Sequence, residues 1–343
     1  MRRKLVVLVV VILMLAPLAV FGSGEKEGAG DVRIAFLFQD LETEFWVASH
    51  QAIVSTLEQE GVQVIQKNAH ESANKQLEQT RDVIAQGVDG IIVIPQDGQS
   101  AVTIIGEANE AGIPIGIYNR PPADKSNPAL VVVADNEKIA TSANEYMAQK
   151  AREKMERTGE KIQPAILVGD LGDPNAVARR KGFYNVIDAN PELFKEAIEI
   201  PSKWDSNTAR ANLESAFQAN PDIDYLFTSS DFLIPQIKSV LAPRGKWQKV
   251  GHEDHVILGG LDGDKTACSM IEQGYLEATG VQDLYAEAEM MLDAMLSAIE
   301  EGKETPENWM NDPGFALTQG NWDERKMDMW GCKLYYEEQE GSE

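Results

Sequence analysis

The chain predicts an α/β protein of two doubly wound parallel-sheet lobes joined by a multi-strand hinge. Three observations carry this. Short apolar runs alternate with amphipathic stretches of helical spacing along most of the 343 residues, the pattern of a parallel sheet covered on both faces. The alternation restarts at residues 165–168, so there are two similar series. No low-complexity linker separates them, which implies lobes joined by several crossing strands with a cleft between.

The first series opens with IAFLFQDLETEFW, residues 34–46. Its apolar start reads as a strand buried on both faces. A polar turn over 39–43 follows, and then Phe45, Ala48, Ala52, Ile53 and Leu57 recur at helical spacing. Further strands are expected over 62–65, 90–95, 113–118 and 130–134. Helices are expected over 74–86, 100–111 and 137–157, two of them ending at Gly87 and Gly112. The second series places strands at 165–168, 197–200, 225–228, 256–259 and 275–281. Its helices cover 176–189, 207–219, a stretch ending near 241, 265–273 and 285–301, and an irregular tail follows.

Residues 1–22 read as an export signal, with Arg2, Arg3 and Lys4 as basic head, 5–20 as apolar body and Val20-Phe21-Gly22 as a small-residue cleavage pattern. The competing reading is an uncleaved membrane anchor, against which stand the short run and the interrupting Pro17. Residues 23–30 are small and charged, a tether before the fold. A net charge of −24 disfavours nucleic acid and anionic lipid as partners. Cys268 and Cys332 are the two cysteines; in an exported protein they either pair or stay as buried thiols.

Ligands of open α/β sheets bind beyond the carboxyl ends of the strands. Collecting the polar and aromatic residues there gives Asp40, Thr43, Phe45, Trp46, Asn119, Arg120, Asn175, Arg179, Trp204, Ser230, Asp231, Asp262 and Gln282. Carboxylates, amides and guanidinium forks supply directed hydrogen bonds. Aromatic rings supply flat faces for the C–H side of a sugar ring. A neutral polyhydroxylated ligand needs both. Taken singly, each has a structural reading: Phe45 and Trp46 can open a core-packed helix, and Asp262-Gly263 can be a turn.

Other chemistry is poorly supported. His252 and His255 stand three apart in a loop-like stretch rather than four apart on a helix, and a solvated loop is expected. Asp262-Gly263-Asp264 is expected to be a ligand carboxylate followed by a helix cap, not a phosphatase loop. Asp170, Asp173 and Asn175 lack the alternation and terminal Glu of a calcium loop. No G-x-S-x-G, phosphate loop or C-x-x-C is present, so no cofactor, metal or catalytic residue is assigned and the chain is read as a binding protein rather than an enzyme.

Taken in order, ETEFW, NAHESANKQLEQTRDVIAQGVDGIIVIPQDGQSA, IPIGIYNRPP, GDPNAVARRKGF and GGLDG resemble periplasmic sugar-binding proteins of the ribose and galactose/glucose type, over about residues 31–320. The resemblance implies the type 1 periplasmic binding protein fold. It places crossings near 134–136, 282–283 and 313–315, hence an N-terminal lobe of 31–134 with 283–313 and a C-terminal lobe and tail of 135–282 with 314–343. It implies a monosaccharide ligand, delivery to an ABC transporter permease, a chemoreceptor as a further partner, a monomer, and a periplasmic or extracellular location. It assigns sugar contacts to Phe45, Trp46, Asn119, Arg120, Arg179, Trp204, Asp262 and Gln282, with Thr43, Asn175 and Ser230 departing from the relatives' residue types.

Trp46, Trp204 and Phe45 favour a six-membered ring, a hexose or related polyol. Counting Arg120 and Arg179 against Asp262 leaves a positive excess, so a sugar acid is the alternative. A sugar-responsive transcription regulator would need a DNA-binding segment where the export signal stands. A secreted carbohydrate-active enzyme would need two poised carboxylates, for which Asp262 with Asp40 or Asp231 is the available choice.

Overall fold

The computed structural model describes residues 32–302 and 305–341; the expected signal and tether lie outside the described residues. The first lobe is built from β1 (Arg33–Phe38), α1 (Glu44–Gln59), β2 (Gln63–Asn68), α2 (Ala73–Ala85), β3 (Gly90–Val93), α3 (Gly98–Glu110), β4 (Ile115–Tyr118) and β5 (Leu130–Ala134). The second is built from α4 (Asn136–Thr158), β6 (Gln163–Val168), α5 (Pro174–Ile187), β7 (Ile198–Pro201), α6 (Ser206–Ala219), β8 (Ile223–Thr228), α7 (Ile234–Leu241), β9 (Ile257–Asp262), α8 (Lys265–Glu272) and β10 (Ala278–Val281). The chain then returns through α9 (Leu284–Glu301) and β11 (Asn308–Asp312), and finishes with β12 (Phe315–Thr318), α10 (Trp322–Arg325) and α11 (Trp330–Glu340).

Two six-stranded sheets result, in the orders β11-β5-β4-β3-β1-β2 and β12-β10-β9-β8-β6-β7. The first is parallel throughout, and in the second only β12 runs antiparallel, against β10. Strands β3, β4 and β5 are buried at every position, as helices on both faces require. The edge strand β2 is half-exposed. Both series of the doubly wound fold are therefore as the sequence predicts. The tail differs from its reading as irregular, because residues 308–312 and 315–318 form edge strands.

The chain passes between the sheets three times, after Ala134, Val281 and Asp312. Asp312 ties the crossings together. Its carboxylate accepts the backbone N–H of Asp283 (2.7 Å) and of Gly314 (2.9 Å), and its carbonyl accepts that of Asp135 (2.8 Å).

One expectation is corrected in part: His252, Glu253 and Asp254 stand in an exposed loop as expected, but His255 is buried, with Nε2 2.7 Å from Glu277 Oε1 and Nδ1 2.6 Å from the Gln248 carbonyl. Among the described residues no group of three His, Cys, Asp or Glu is arranged to hold a metal ion. The cysteine alternative resolves to a disulfide, Cys268–Cys332, which ties α11 to α8 with Cα atoms 5.3 Å apart.

Candidate functional site

A cavity of about 550 Å³ lies between the lobes at the carboxyl ends of both sheets. Its walls follow from strand-to-helix turns. After β1 the chain turns through Gln39–Thr43, and Thr43 caps α1 by accepting the Trp46 N–H (3.4 Å), which sets Phe45 and Trp46 at the rim. After β6, Asp173 caps α5 by accepting the Asn175 N–H (2.9 Å), with Pro174 starting the helix, and so aims Asn175 and Arg179 at the cleft. After β7, Lys203 and Trp204 both take left-handed backbone angles, φ +53° and +58°. Non-glycine residues hold such angles where the surroundings over-determine them. Here Gly169 helps: a Cβ there would lie 2.2 Å from the Trp204 ring, so only glycine lets the indole lie flat against the strand end.

Eleven of the predicted residues line this cavity: Asp40, Thr43, Phe45, Trp46, Asn119, Arg120, Asn175, Arg179, Trp204, Ser230 and Asp262. Asp231 and Gln282 do not, and both are fully buried behind the wall. Asp231 faces β10 and the loop after β9, accepting from Thr279 Oγ1 (2.6 Å) and the Gly263 N–H (2.8 Å). Its strand-end position was right and its direction was not. Gln282 is a brace between two lining residues: its Nε2 donates to Asp262 Oδ1 (2.8 Å) and its Oε1 accepts from Asn119 Nδ2 (3.0 Å).

Both cavity arginines are already neutralised. Arg120 Nε pairs with Asp173 Oδ2 at 3.0 Å, both side chains nearly buried, and Nη1 donates to Gln39 and to the carbonyls of Pro95 (3.0 Å) and Gln96 (2.6 Å). Arg179 pairs with Asp262 Oδ1 at 3.0 Å, donates to Asn136 Oδ1 (2.7 Å) and to the Ser229 carbonyl (2.7 Å). Ser230 donates to the other Asp262 oxygen. The positive excess counted from sequence is therefore absent, because Asp173 was left out of the count. Buried ions are retained where they are paired and hydrogen-bonded, and both are. Burial raises the Asp40 and Asp262 carboxyls above the ordinary range, with Arg120 and Arg179 respectively pulling them back down.

Aromatic faces stand on both sides. The Arg120 guanidinium lies 5.6 Å from the Trp46 ring, and that of Arg179 lies 5.8 Å from the Trp204 ring. Trp204 Nε1 is buried with no hydrogen-bond partner among the described residues. Contacts also cross between the lobes: Arg120 to Asp173, and Asn175 Nδ2 to both the carbonyl and Oδ1 of Asn119 (3.1 Å each). Residues missed at the sequence level include Gln39, Gln96, Asp97, Asp173, Lys203 and Asp205, all lining the cavity. Gln39 and Asp173 adjoin predicted residues in the same turns, which was the available signal.

Comparison with known proteins agrees with this architecture. A ribose import binding protein of Bacillus subtilis is 25% identical over 260 residues, 76% of this chain and 78% of that protein. A D-apiose import binding protein of Actinobacillus succinogenes is 26% identical over 276 residues, 79% and 84% of the two chains. Among solved structures, an ABC transporter periplasmic solute-binding protein from Actinobacillus succinogenes with bound D-allose superposes with a TM-score of 0.73 at 22% identity, covering 89% of this chain and all of that one. An ABC transporter solute-binding protein from Bacillus halodurans with bound myo-inositol gives 0.73 at 22% identity, over 86% and 97%. A family model described as a periplasmic binding protein domain matches residues 34–304, and the chain belongs to that family.

Proposed function

We propose that the protein is the substrate-capturing subunit of an ABC-type sugar importer. It takes an uncharged monosaccharide, a hexose or related polyol, into the interlobe cavity. One observation carries this reading: a cleft walled by Trp46 and Trp204 whose two arginines are each held by a carboxylate of the protein itself. The aromatic faces suit the apolar side of a pyranose or cyclitol ring, and the paired ions present hydrogen-bonding groups without net positive charge. The relatives' names and the D-allose and myo-inositol of the solved neighbours point to the same ligand class. A sugar acid is disfavoured, since it would meet Asp40, Asp173 and Asp262 with no uncompensated arginine to receive it. Hydrolysis is disfavoured too, since Asp231 lies behind the wall and both Asp262 oxygens are engaged. Closure of the lobes about the three crossings would complete the site and form the surface a permease recognises.

The test is a thermal-shift panel of D-galactose, D-glucose, D-allose, D-ribose, D-xylose, myo-inositol, xylitol and D-galacturonate. Ligand at about a thousand times its dissociation constant adds about 4 kcal/mol, several degrees of midpoint. Shifts with neutral hexoses or cyclitols, lost in Arg179→Ala, support the reading. Shifts confined to D-galacturonate, or to none of the panel, sink it.

A further inference from the structure

We infer that Trp330 is a positioning residue for Asp262, so that the C-terminal segment governs ligand affinity although none of its residues lines the cavity. This rests on the sugar-binding reading above. Asp262 ends β9 in an unusual backbone conformation, φ +130°, followed by Gly263 at φ +83°. A non-glycine residue there keeps its geometry only if held.

The tail does the holding. Trp330, 1% exposed, donates its indole N–H to the Asp262 carbonyl at 2.9 Å. The next residue, Gly331, donates its backbone N–H to the Gly263 carbonyl at 3.1 Å. The approach is backbone on backbone, since a Cβ on Gly331 would stand 2.3 Å from both Gly263 O and Asp264 C. The third, Cys332, is joined to Cys268 on α8, which starts just after the loop. Three consecutive tail residues thus fasten one loop.

On its other side the Trp330 ring meets Phe45 edge-on, centroids 6.0 Å apart. Phe45 belongs to the opposite lobe and lines the cavity. Trp330 therefore touches one lining element from each lobe. The Asp262 carboxylate has no slack: Arg179 and Gln282 reach one oxygen and Ser230 the other. A small shift of the loop misaligns all three contacts, and with them the acceptor that Asp262 offers a sugar hydroxyl.

The test uses Trp330→Phe in the full mature chain, which keeps an aromatic ring and removes the donor. Titration calorimetry is run with the panel member giving the largest shift, alongside hydrogen exchange at the Gly263 amide in ligand-free protein. Expected are about tenfold weaker binding, faster Gly263 exchange and a thermal midpoint within a few degrees of wild type. The loss is expected to couple to Asp262→Asn in a double-mutant cycle, and to add independently to Trp46→Phe. A merely structural role would lower the midpoint with affinity unchanged and the cycle additive; that result overturns the inference. Should the variant fail to fold, the same two measurements on wild type with Cys268–Cys332 reduced take its place, with the same outcomes. If no panel sugar binds wild type, the sugar-binding reading fails by itself. Faster Gly263 exchange in Trp330→Phe would then still support positioning, and unchanged exchange would refute it.

Discussion

Trp204 lies against Gly169 with its indole N–H buried and unmatched among the described residues, and its backbone is left-handed. On the proposed sugar-binding reading, the left-handed backbone and the unmatched donor are two costs borne at a ligand contact. Trp204→Ala should weaken binding of the preferred panel sugar by about 2–4 kcal/mol. Gly169→Ala should do nearly the same with the ring still present, because its Cβ evicts the indole; calorimetry on both variants checks this. Behind the wall, burial and the neighbouring Asp262 push the Asp231 carboxyl up to about 7. A folded-state value above the unfolded one means the native state holds the extra proton between about pH 4 and 7, so this contribution is present at acid pH and lost as pH rises through 7. Burial likewise holds Asp264 and Glu287 well above the usual range, acting in the same direction. The unfolding midpoint should therefore fall from pH 5 to 8. Asp231→Asn, which keeps an oxygen for Thr279 and Gly263, should flatten that fall without abolishing it.

At the scale of the element, the start of α5 serves two ends. One oxygen of Asp173 caps the helix and the other neutralises Arg120 across the cleft. Asp173→Asn keeps a capping oxygen and removes the charge. Breaking a buried pair this way costs about 3–5 kcal/mol, so the midpoint should drop. The freed guanidinium should also admit D-galacturonate, which calorimetry would detect as binding absent in wild type. No gain would mean that Arg120 does not control charge selection. This pair also shows where sequence reading stops. The helix, its N-terminus and Arg120 were legible from periodicity and turn chemistry, but pairing between residues 53 apart on different lobes leaves no trace in spacing. Asp231 was placed on the wall for a related reason: it stands three residues past the end of β8, in a 3-10 turn, and the spacing marks the end of the strand without marking which way that turn aims a side chain. Strand β5 was read correctly over residues 130–134 because it is apolar throughout. Strands β11 and β12 were missed because NWMND is a half-exposed edge without an apolar run and FALT is only four residues long.

On the scale of the whole molecule, the ends of the chain are what finish each half. Strand β11 joins β5 in register Asn308 with Leu130, and β12 joins β10 in register Phe315 with Val281. The first of these pairs residues almost 180 positions apart, and contacts of such separation form late because the intervening chain must first be ordered. A chain ending at residue 307 should leave β5 as an unprotected edge and release the hold of Asp312 on the three crossings. It is expected to lack a cooperative thermal transition, as circular dichroism would report. The closing strand has a further consequence for biogenesis. A nascent chain emerging amino end first cannot add this strand to its amino-terminal sheet until residues 308–312 have been made, so the edge of β5 stays uncovered while the whole second lobe is synthesised.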